Sequence, residues 1–196
     1  MKQHNVLFAI GGFILGATLL WVFTSSSVNQ NYTGKIDTNE LDAHFIEQMV
    51  PHHEDAITMA TLAQSKAKRP EVQQLAKQII DAQEKEIGMM KRWYSEWYGT
   101  PLPSGYYVMQ QHGMMDRGSM HMGMMGSVTD RTNLEQAEDF DTAFVEEMIP
   151  HHQMAVMMAS MLKNGTNRPE MRQLADDIIE AQTNEINQMR RWLQNW

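Results

Sequence analysis

Apolar side chains recur at steps of three and four residues in four separate stretches of the chain, which is the spacing of one helix face. In the first stretch the repeating positions include Phe45, Met49, Ala56 and Met59. The same rule applied to the whole chain predicts helices at about residues 41–66, 70–98, 137–163 and 169–196. Four apolar stripes are most simply buried in an all-α four-helix bundle.

The pattern of the first two helices is repeated in the last two. Residues 42–97 align with residues 141–196 at a constant offset of 99 and without a gap, and about 26 of the 56 pairs are identical. A match of this length indicates an internal duplication. Each copy is therefore predicted to be one helical hairpin, and the two hairpins together are expected to have pseudo-twofold symmetry.

Two prolines interrupt the pattern inside the first helix of each hairpin. Pro51 and Pro150 each remove a backbone hydrogen bond and clash with the carbonyl four residues earlier, so the helix is expected either to kink or to begin there. Two histidines follow directly in each copy. Pro70 and Pro169, by contrast, suit the first turn of a helix, where a missing N–H does no harm.

Four segments are predicted from these boundaries: 1–35, a signal or anchor with a spacer; 36–98, the first hairpin; 99–132, a linker; and 133–196, the second hairpin. Residues 6–23 carry no charge and would span about 27 Å as a helix, which is short for a membrane span. They are longer than a usual signal core of about 7–15 residues. A cleaved signal and an uncleaved membrane anchor both remain open, beside a helix buried in the core. Either export element predicts a periplasmic protein, anchored or released.

Charge and cysteine usage exclude several classes of function. Lys and Arg number 16 against 24 Asp and Glu, a net charge of -8, so the chain has no basic field for binding nucleic acid. With no Cys, disulfides, iron-sulfur clusters, thiolate zinc sites and cysteine nucleophiles are excluded. The chain instead has 19 Met. Thioethers form no disulfides in an oxidising compartment and need no deprotonation to bind a metal.

The motif Met-x-Pro-His-His, which occurs once in each copy, is the strongest candidate for chemistry. On a helix the methionine lies one turn from both histidines, and neutral sulfur and nitrogen donors suit Cu(I) and, by the same softness, Ag(I). The alternative is that one histidine of each pair packs in the core while the other is solvated. The candidate ligands are Met49, His52 and His53 in the first copy, and Met148, His151 and His152 in the second.

Two carboxylates fall inside the apolar stripes of the second helix of each hairpin. Burying the charged side chains of Glu86 and Glu185 there destabilises the fold unless they are paired or bind a metal. Their candidate partners are the histidines of the motif, or Arg92 and Arg191. We expect each to hydrogen-bond a histidine, to ligate a metal, or to orient a ligating histidine from behind.

Further thioethers lie at helical spacing from these groups. A row of methionines along one helix face more often fills the core than binds a metal. In the third helix, where Met157 and Met161 extend the row, core packing and metal binding both stay open. The candidate ligands are Met59, Met90, Met154, Met158 and Met189.

The linker is rich in glycine as well as methionine and histidine, a composition that does not form a packed core. Packing therefore does not explain its thioethers, which suit a large soft cation; the alternative is a surface for a partner helix. The candidate ligands are Met109, His112, Met114, Met115, Met120, His121, Met122, Met124 and Met125.

These motifs resemble a family of exported, Met- and His-rich bacterial proteins with a ferritin-like four-helix bundle, known as a domain of unknown function. The segments 45–53 and 144–152 carry the resemblance, together with the closing Met89–Trp93 and Met189–Trp192. It implies a periplasmic protein that binds Cu(I) as cargo in copper resistance, with Ag(I) or Cu(II) as further candidate ions. It implies no reaction, and a component of a copper efflux system is a candidate partner.

Two other classes of function remain as alternatives. A di-metal oxidoreductase of ferritin-like type needs a Glu-x-x-His pair on two of its helices, but Met49, Val50, Met148 and Ile149 stand three residues before the four histidines. A partner-binding bundle would use its methionines as a contact surface instead.

Overall fold

The computed structural model describes residues 38–103 and 133–196, in which four long helices form two hairpins. The helices are α1 (Thr38–Lys66), α2 (Pro70–Tyr98), α3 (Phe140–Gly165) and α4 (Pro169–Asn195). α1 packs against α2, α3 packs against α4, and α1 and α3 join the hairpins. The predicted all-α four-helix bundle is confirmed, and every helix boundary lies within three residues of its predicted position.

The apolar segment 6–23 and most of the linker lie outside the described residues. Within the described ranges, 38–103 and 133–196, no helix combines the length and the apolar character that a bilayer span requires.

Helix ends follow the local sequence. Pro70 and Pro169 occupy the first turns of α2 and α4, and each follows an arginine in an extended conformation. α2 ends at Gly99, whose φ of 70° lies in the left-handed region that glycine adopts without strain. The two hairpin connections are thus short, which keeps each helix pair antiparallel.

The prolines in the middle of α1 and α3 do not begin a helix. Pro51 and Pro150 lie inside Thr38–Lys66 and Phe140–Gly165, respectively. Since proline has no N–H, the carbonyls of Glu47 and Glu146 lack their usual helical donor. The proline that lacks the N–H directly precedes the histidine pair in each copy.

The core divides into two clusters with a polar layer between them. The first cluster combines the beginning of α1, the end of α2, the second half of α3 and the beginning of α4. The second combines the other half of each helix. The polar layer comprises the side chains that fall between the two clusters along the four helices: His52, His53, Gln83, Glu86, His151, His152, Gln182 and Glu185. The duplication therefore places its most polar buried residues at the centre of the bundle.

The two ends of the bundle are closed by equivalent cation–π contacts between hairpins. The Arg69 guanidinium carbon lies 4.0 Å from the ring centroid of Trp196, and that of Arg168 lies 4.2 Å from the ring of Trp97. Each arginine precedes the first proline of its helix, and each tryptophan ends the other hairpin. These contacts supplement the α1–α3 interface.

A buried aspartate in each copy faces the connection of the other hairpin, but the two are bonded differently. Asp141, 1% exposed, accepts hydrogen bonds from the backbone N–H groups of Lys68 (3.0 Å) and Arg69 (2.9 Å) and from the Arg69 guanidinium (3.1 Å). Asp42 has as polar neighbours the Arg168 guanidinium, 3.5 Å from Oδ2, and Thr166. Burial raises the pKa of Asp42 above its ordinary value.

Candidate metal centre

The candidate centre is the polar layer, to which all four helices contribute. α1 and α3 supply the histidine pairs directly after their internal prolines, while α2 and α4 supply Glu86 and Glu185. The apolar clusters on either side bury most of the layer's side chains. Its polar groups must therefore satisfy one another or bind a ligand.

One histidine of each pair is held by the glutamate of its own hairpin. His53 Nε2 lies 2.6 Å from Glu86 Oε2, and His152 Nε2 lies 2.7 Å from Glu185 Oε2. Both histidine side chains have an exposed fraction of zero. Of the partners that the sequence left open, the structure selects these histidines over the arginines.

The hydrogen bonds to glutamate leave the other ring nitrogen of each histidine available. A carboxylate that accepts from Nε2 fixes the proton there, so Nδ1 keeps its lone pair. Nδ1 of His53 and of His152 is buried and has no hydrogen-bond partner among the described residues. A buried, unpaired imidazole nitrogen with a carboxylate behind it is the usual arrangement of a metal-ligating histidine.

The other two histidines meet across the pseudo-twofold axis. The ring centroids of His52 and His151 are 3.8 Å apart, with their planes inclined by 40°. Burial, followed by repulsion from the neighbouring imidazoles of His151, His53 and His152, lowers the pKa of His52 to about 2. Burial also lowers the pKa of His151, which the nearby carboxylate of Asp55 partly opposes. His52 is therefore neutral at physiological pH, the form that binds metals.

Asp55 approaches the layer on one side only. Its Oδ2 lies 3.5 Å from His151 Nε2, and the two side chains are 11% and 9% exposed. The duplication places Met154 at the equivalent position of the second copy, where it is half-buried and packs against the first core cluster. The two halves of the layer therefore differ in the chemistry of one side chain.

Thioethers flank the layer on both faces. The duplication relates six buried methionines beside the layer: Met49, Met90 and Met158 in the first cluster, and Met148, Met189 and Met59 in the second. Met171, a fourth buried methionine of the first cluster, has Val72 as its counterpart. Met49 and Met148 are one helical turn from the histidines that follow them. Four of the six have an exposed fraction of zero, and the other two reach at most 9%.

The donor set determines which metals the layer suits. Within residues 38–103 and 133–196, no group of three or more His, Cys, Asp or Glu side chains is placed to hold a metal ion. A site built from three or more imidazole and carboxylate ligands, as a di-iron centre is, is therefore not formed by the described side chains. An ion that also accepts thioether sulfur finds imidazole nitrogen and methionine in neighbouring turns, which suits Cu(I) and Ag(I).

The structure thus places the bundle residues that the sequence singled out in or beside one polar layer. Two further methionines of α3, Met157 and Met161, are 46% and 64% exposed and do not serve the core. The linker candidates, Met109 to Met125 with His112 and His121, lie outside the described residues and remain a prediction.

Sequence reasoning missed three polar members of this region: Asp55, Gln83 and Gln182. The glutamines are 3% exposed, and their amide oxygens have no hydrogen-bond partner among the described residues. Both copies have glutamine at this position, and this agreement was the signal that could have identified the pair as buried. Asp55 gave no such signal, because its counterpart is a methionine.

Comparison with known proteins adds a family match. The model of DUF305, a domain of unknown function, matches residues 42–193. The uncharacterized protein L153 of Acanthamoeba polyphaga mimivirus is 49% identical over 49 residues, 25% of this chain. The chain spans 32% of that protein's length.

Solved structures with the same fold include CopM and a DUF305 fragment from Deinococcus radiodurans. The Cu(II)-bound form of CopM is 50% identical, with a TM-score of 0.68 over 79% of this chain and 97% of CopM. Its Cu(I)-bound form is 48% identical, with a TM-score of 0.66 over 79% and 96%, and CopM has also been solved with Ag bound. The Deinococcus fragment is 26% identical, with a TM-score of 0.64 over 80% and 97%.

Proposed function

The chain belongs to the DUF305 family, and on this premise we propose that it is a copper-binding protein that holds copper as cargo outside the cytoplasm. Cu(I) is its main ion, and Ag(I) and Cu(II) bind as well. It contributes to copper resistance by sequestering the ion or passing it on to a component of an efflux system, and it catalyses no reaction. The copper- and silver-bound forms of CopM, about half identical to this chain, support the proposal.

The observation that carries the proposal is the pair of glutamate-bound histidines. His53 and His152 each present a buried Nδ1 without a hydrogen-bond partner among the described residues, beside buried thioethers of the adjacent turn. Leaving such a nitrogen unpaired costs stability, and a bound metal offsets that cost. Two imidazoles and neighbouring methionines form a neutral, soft donor set, which favours a monovalent copper or silver ion.

Two features support cargo binding over catalysis. Glu86 and Glu185 are each engaged by a histidine, so neither is a free acid or base. The apolar segment 6–23 supports action outside the cytoplasm, where cysteine-free, methionine-based binding withstands oxidation to disulfides.

Anaerobic titration with Cu(I) against a coloured chelator tests the proposal. The full chain is expected to take up several equivalents. A variant with His52, His53, His151 and His152 changed to Ala is expected to lose those that bind in the bundle and to keep those of the linker. His44→Ala, a substitution of a partly exposed histidine outside the layer, is the matched control and should titrate as the wild type does.

Failure to compete with the chelator would overturn the proposed function. Unchanged uptake by the four-histidine variant would overturn the site. Because four buried substitutions can unfold the bundle, a second variant with only His53→Gln and His152→Gln is titrated in parallel, and far-UV circular dichroism reports whether each variant is folded.

Replacing the two glutamates tests whether they orient the ligating histidines. Glu86→Gln with Glu185→Gln is expected to weaken metal binding about 10- to 100-fold, because a carboxylate behind an imidazole fixes its tautomer and raises its basicity. Ag(I) competition measures the affinity. Glu84→Gln, on the exposed face of α2, should leave it unchanged, and equal affinities for all three proteins would contradict the role of the glutamates.

A further inference from the structure

The duplication is broken at position 55, where the side chain of the first copy approaches a histidine of the polar layer. The histidines, glutamates and glutamines of the layer are identical in both copies, as are the methionines one turn before the histidines. Position 55 differs: the first copy has Asp55 where the second has Met154. A hard, anionic oxygen donor in one half thus corresponds to a soft, neutral sulfur donor in the other.

The placement of Asp55 suits a shared ligand. For ligand atoms about 2 Å from one ion, as is usual for imidazole nitrogen and carboxylate oxygen, coordination angles between about 90° and 180° separate the two atoms by about 2.8 to 4 Å. The 3.5 Å between Asp55 Oδ2 and His151 Nε2 lies within this range. Both side chains are almost fully buried, so water competes little for such an ion.

Met154 is placed for the opposite chemistry. It lies in the turn after His151 and His152, half-buried against the first core cluster. Its neighbours along α3, Met157 and Met161, extend the thioether surface to solvent, whereas the corresponding positions of α1 are Thr58 and Leu62. Beyond the methionines that the two copies share, α3 therefore carries thioethers that α1 lacks.

We propose that Asp55 and Met154 make the two halves of the layer selective for different oxidation states of copper. Cu(II) binds between Asp55 and His151, through oxygen and nitrogen, and Cu(I), or Ag(I), binds at the pseudo-symmetric position that contains Met154, through sulfur and nitrogen. This inference rests on the proposed function, since it assigns ions to positions within the same layer. Its physical basis is that carboxylate and imidazole donors suit Cu(II) whereas thioether donors select Cu(I).

Exchange of the two side chains is the test. Asp55→Met is expected to weaken Cu(II) binding by about tenfold or more, the scale on which donors at a metal site change affinity, and to leave Ag(I) binding equal or stronger. Met154→Asp is expected to weaken Ag(I) binding and strengthen Cu(II) binding. Competition titrations of the full chain give both affinities, and electron paramagnetic resonance shows whether the Cu(II) signal loses the character of an oxygen ligand in Asp55→Met.

Two further variants separate selectivity from damage to the fold. Met154→Leu removes the sulfur without adding a charge and should weaken Ag(I) binding alone. Thr58→Met adds a thioether to the first copy while leaving Asp55 in place, and should leave Cu(II) binding unchanged. The linker is the same in every variant, so differences between variants report on these positions.

The outcomes distinguish this inference from the function on which it rests. Wild-type protein that binds neither ion overturns both. Wild-type protein that binds both ions, with Asp55→Met changing neither Cu(II) affinity nor the resonance spectrum, overturns only the assignment of Asp55. Variants that lose both ions in parallel would show a common structural role and overturn the selectivity.

Discussion

Lowering the pH from 7 to 5 is expected to destabilise the metal-free bundle by about 2 kcal/mol through His52, and His151, whose pKa burial also lowers, adds to the loss. The unfolded chain takes up a proton at each histidine near pH 6.5, whereas the folded chain keeps His52 neutral because its pKa is about 2. The unfolded state therefore binds more protons below pH 6.5. The stability from each such histidine is complete above that pH and falls by about 1.4 kcal/mol per pH unit below it.

Urea unfolding of the metal-free protein at pH 7, 6 and 5 measures this dependence. His52→Gln should be less pH-dependent than the wild type, because glutamine does not titrate. His44→Gln, which removes a partly exposed histidine outside the layer, should follow the wild type. A free energy of unfolding that is constant between pH 7 and 5 would contradict the burial of neutral histidines.

Replacing Asp141 with alanine is expected to destabilise the bundle by about 1–3 kcal/mol, the usual cost of leaving a buried hydrogen-bonding group without its partner. The substitution leaves the N–H groups of Lys68 and Arg69 without their acceptor and the Arg69 guanidinium without its buried counterion. It also loosens the connection that starts α2.

The duplication supplies the matched control. Asp42→Ala removes an equally buried carboxylate, but one whose neighbours are Arg168 and Thr166 rather than two loop amides. Its destabilisation should be smaller, since among the described residues no backbone N–H donates to Asp42 and would lose its acceptor. Urea unfolding followed by circular dichroism gives both values, and equal losses would show that the backbone hydrogen bonds of Asp141 contribute little.

The helices and their pairing could be predicted because both depend on local or repeated information. The spacing of Phe45, Met49, Ala56 and Met59 defines a helix face without reference to the rest of the chain. Repetition at an offset of 99 residues then implies two like hairpins. Pro70 and Pro169 marked the helix starts, and the structure has both at the first turn.

The contacts within the site could not be predicted, because they depend on how the helices are rotated toward one another. The sequence allowed Glu86 to meet His52, His53 or an arginine, and only the packing of α1 on α2 selects His53. Likewise, the 3.8 Å contact between His52 and His151 joins residues 99 positions apart. It needs the antiparallel crossing of α1 and α3, which no local pattern contains.

Buried polar residues were missed for a different reason. A hydrophobic-polar pattern assigns polar side chains to the solvent face, so Asp141, Gln83 and Asp55 would all be placed on the surface. Asp141 and Gln83 are identical to their counterparts Asp42 and Gln182. Agreement between the two copies was thus a better indicator of burial than polarity.

Joining two like hairpins in one chain also removes a restriction that symmetry imposes. In a dimer of identical single hairpins, every side chain near the axis would face a copy of itself, as His52 and His151 still face each other. Such an assembly could have an aspartate on both sides of the axis or a methionine on both sides, but never one of each. Covalent linkage lets each half mutate independently. A chain that contains both hairpins can therefore have Asp55 in one and Met154 in the other, whereas a symmetric dimer of single hairpins cannot.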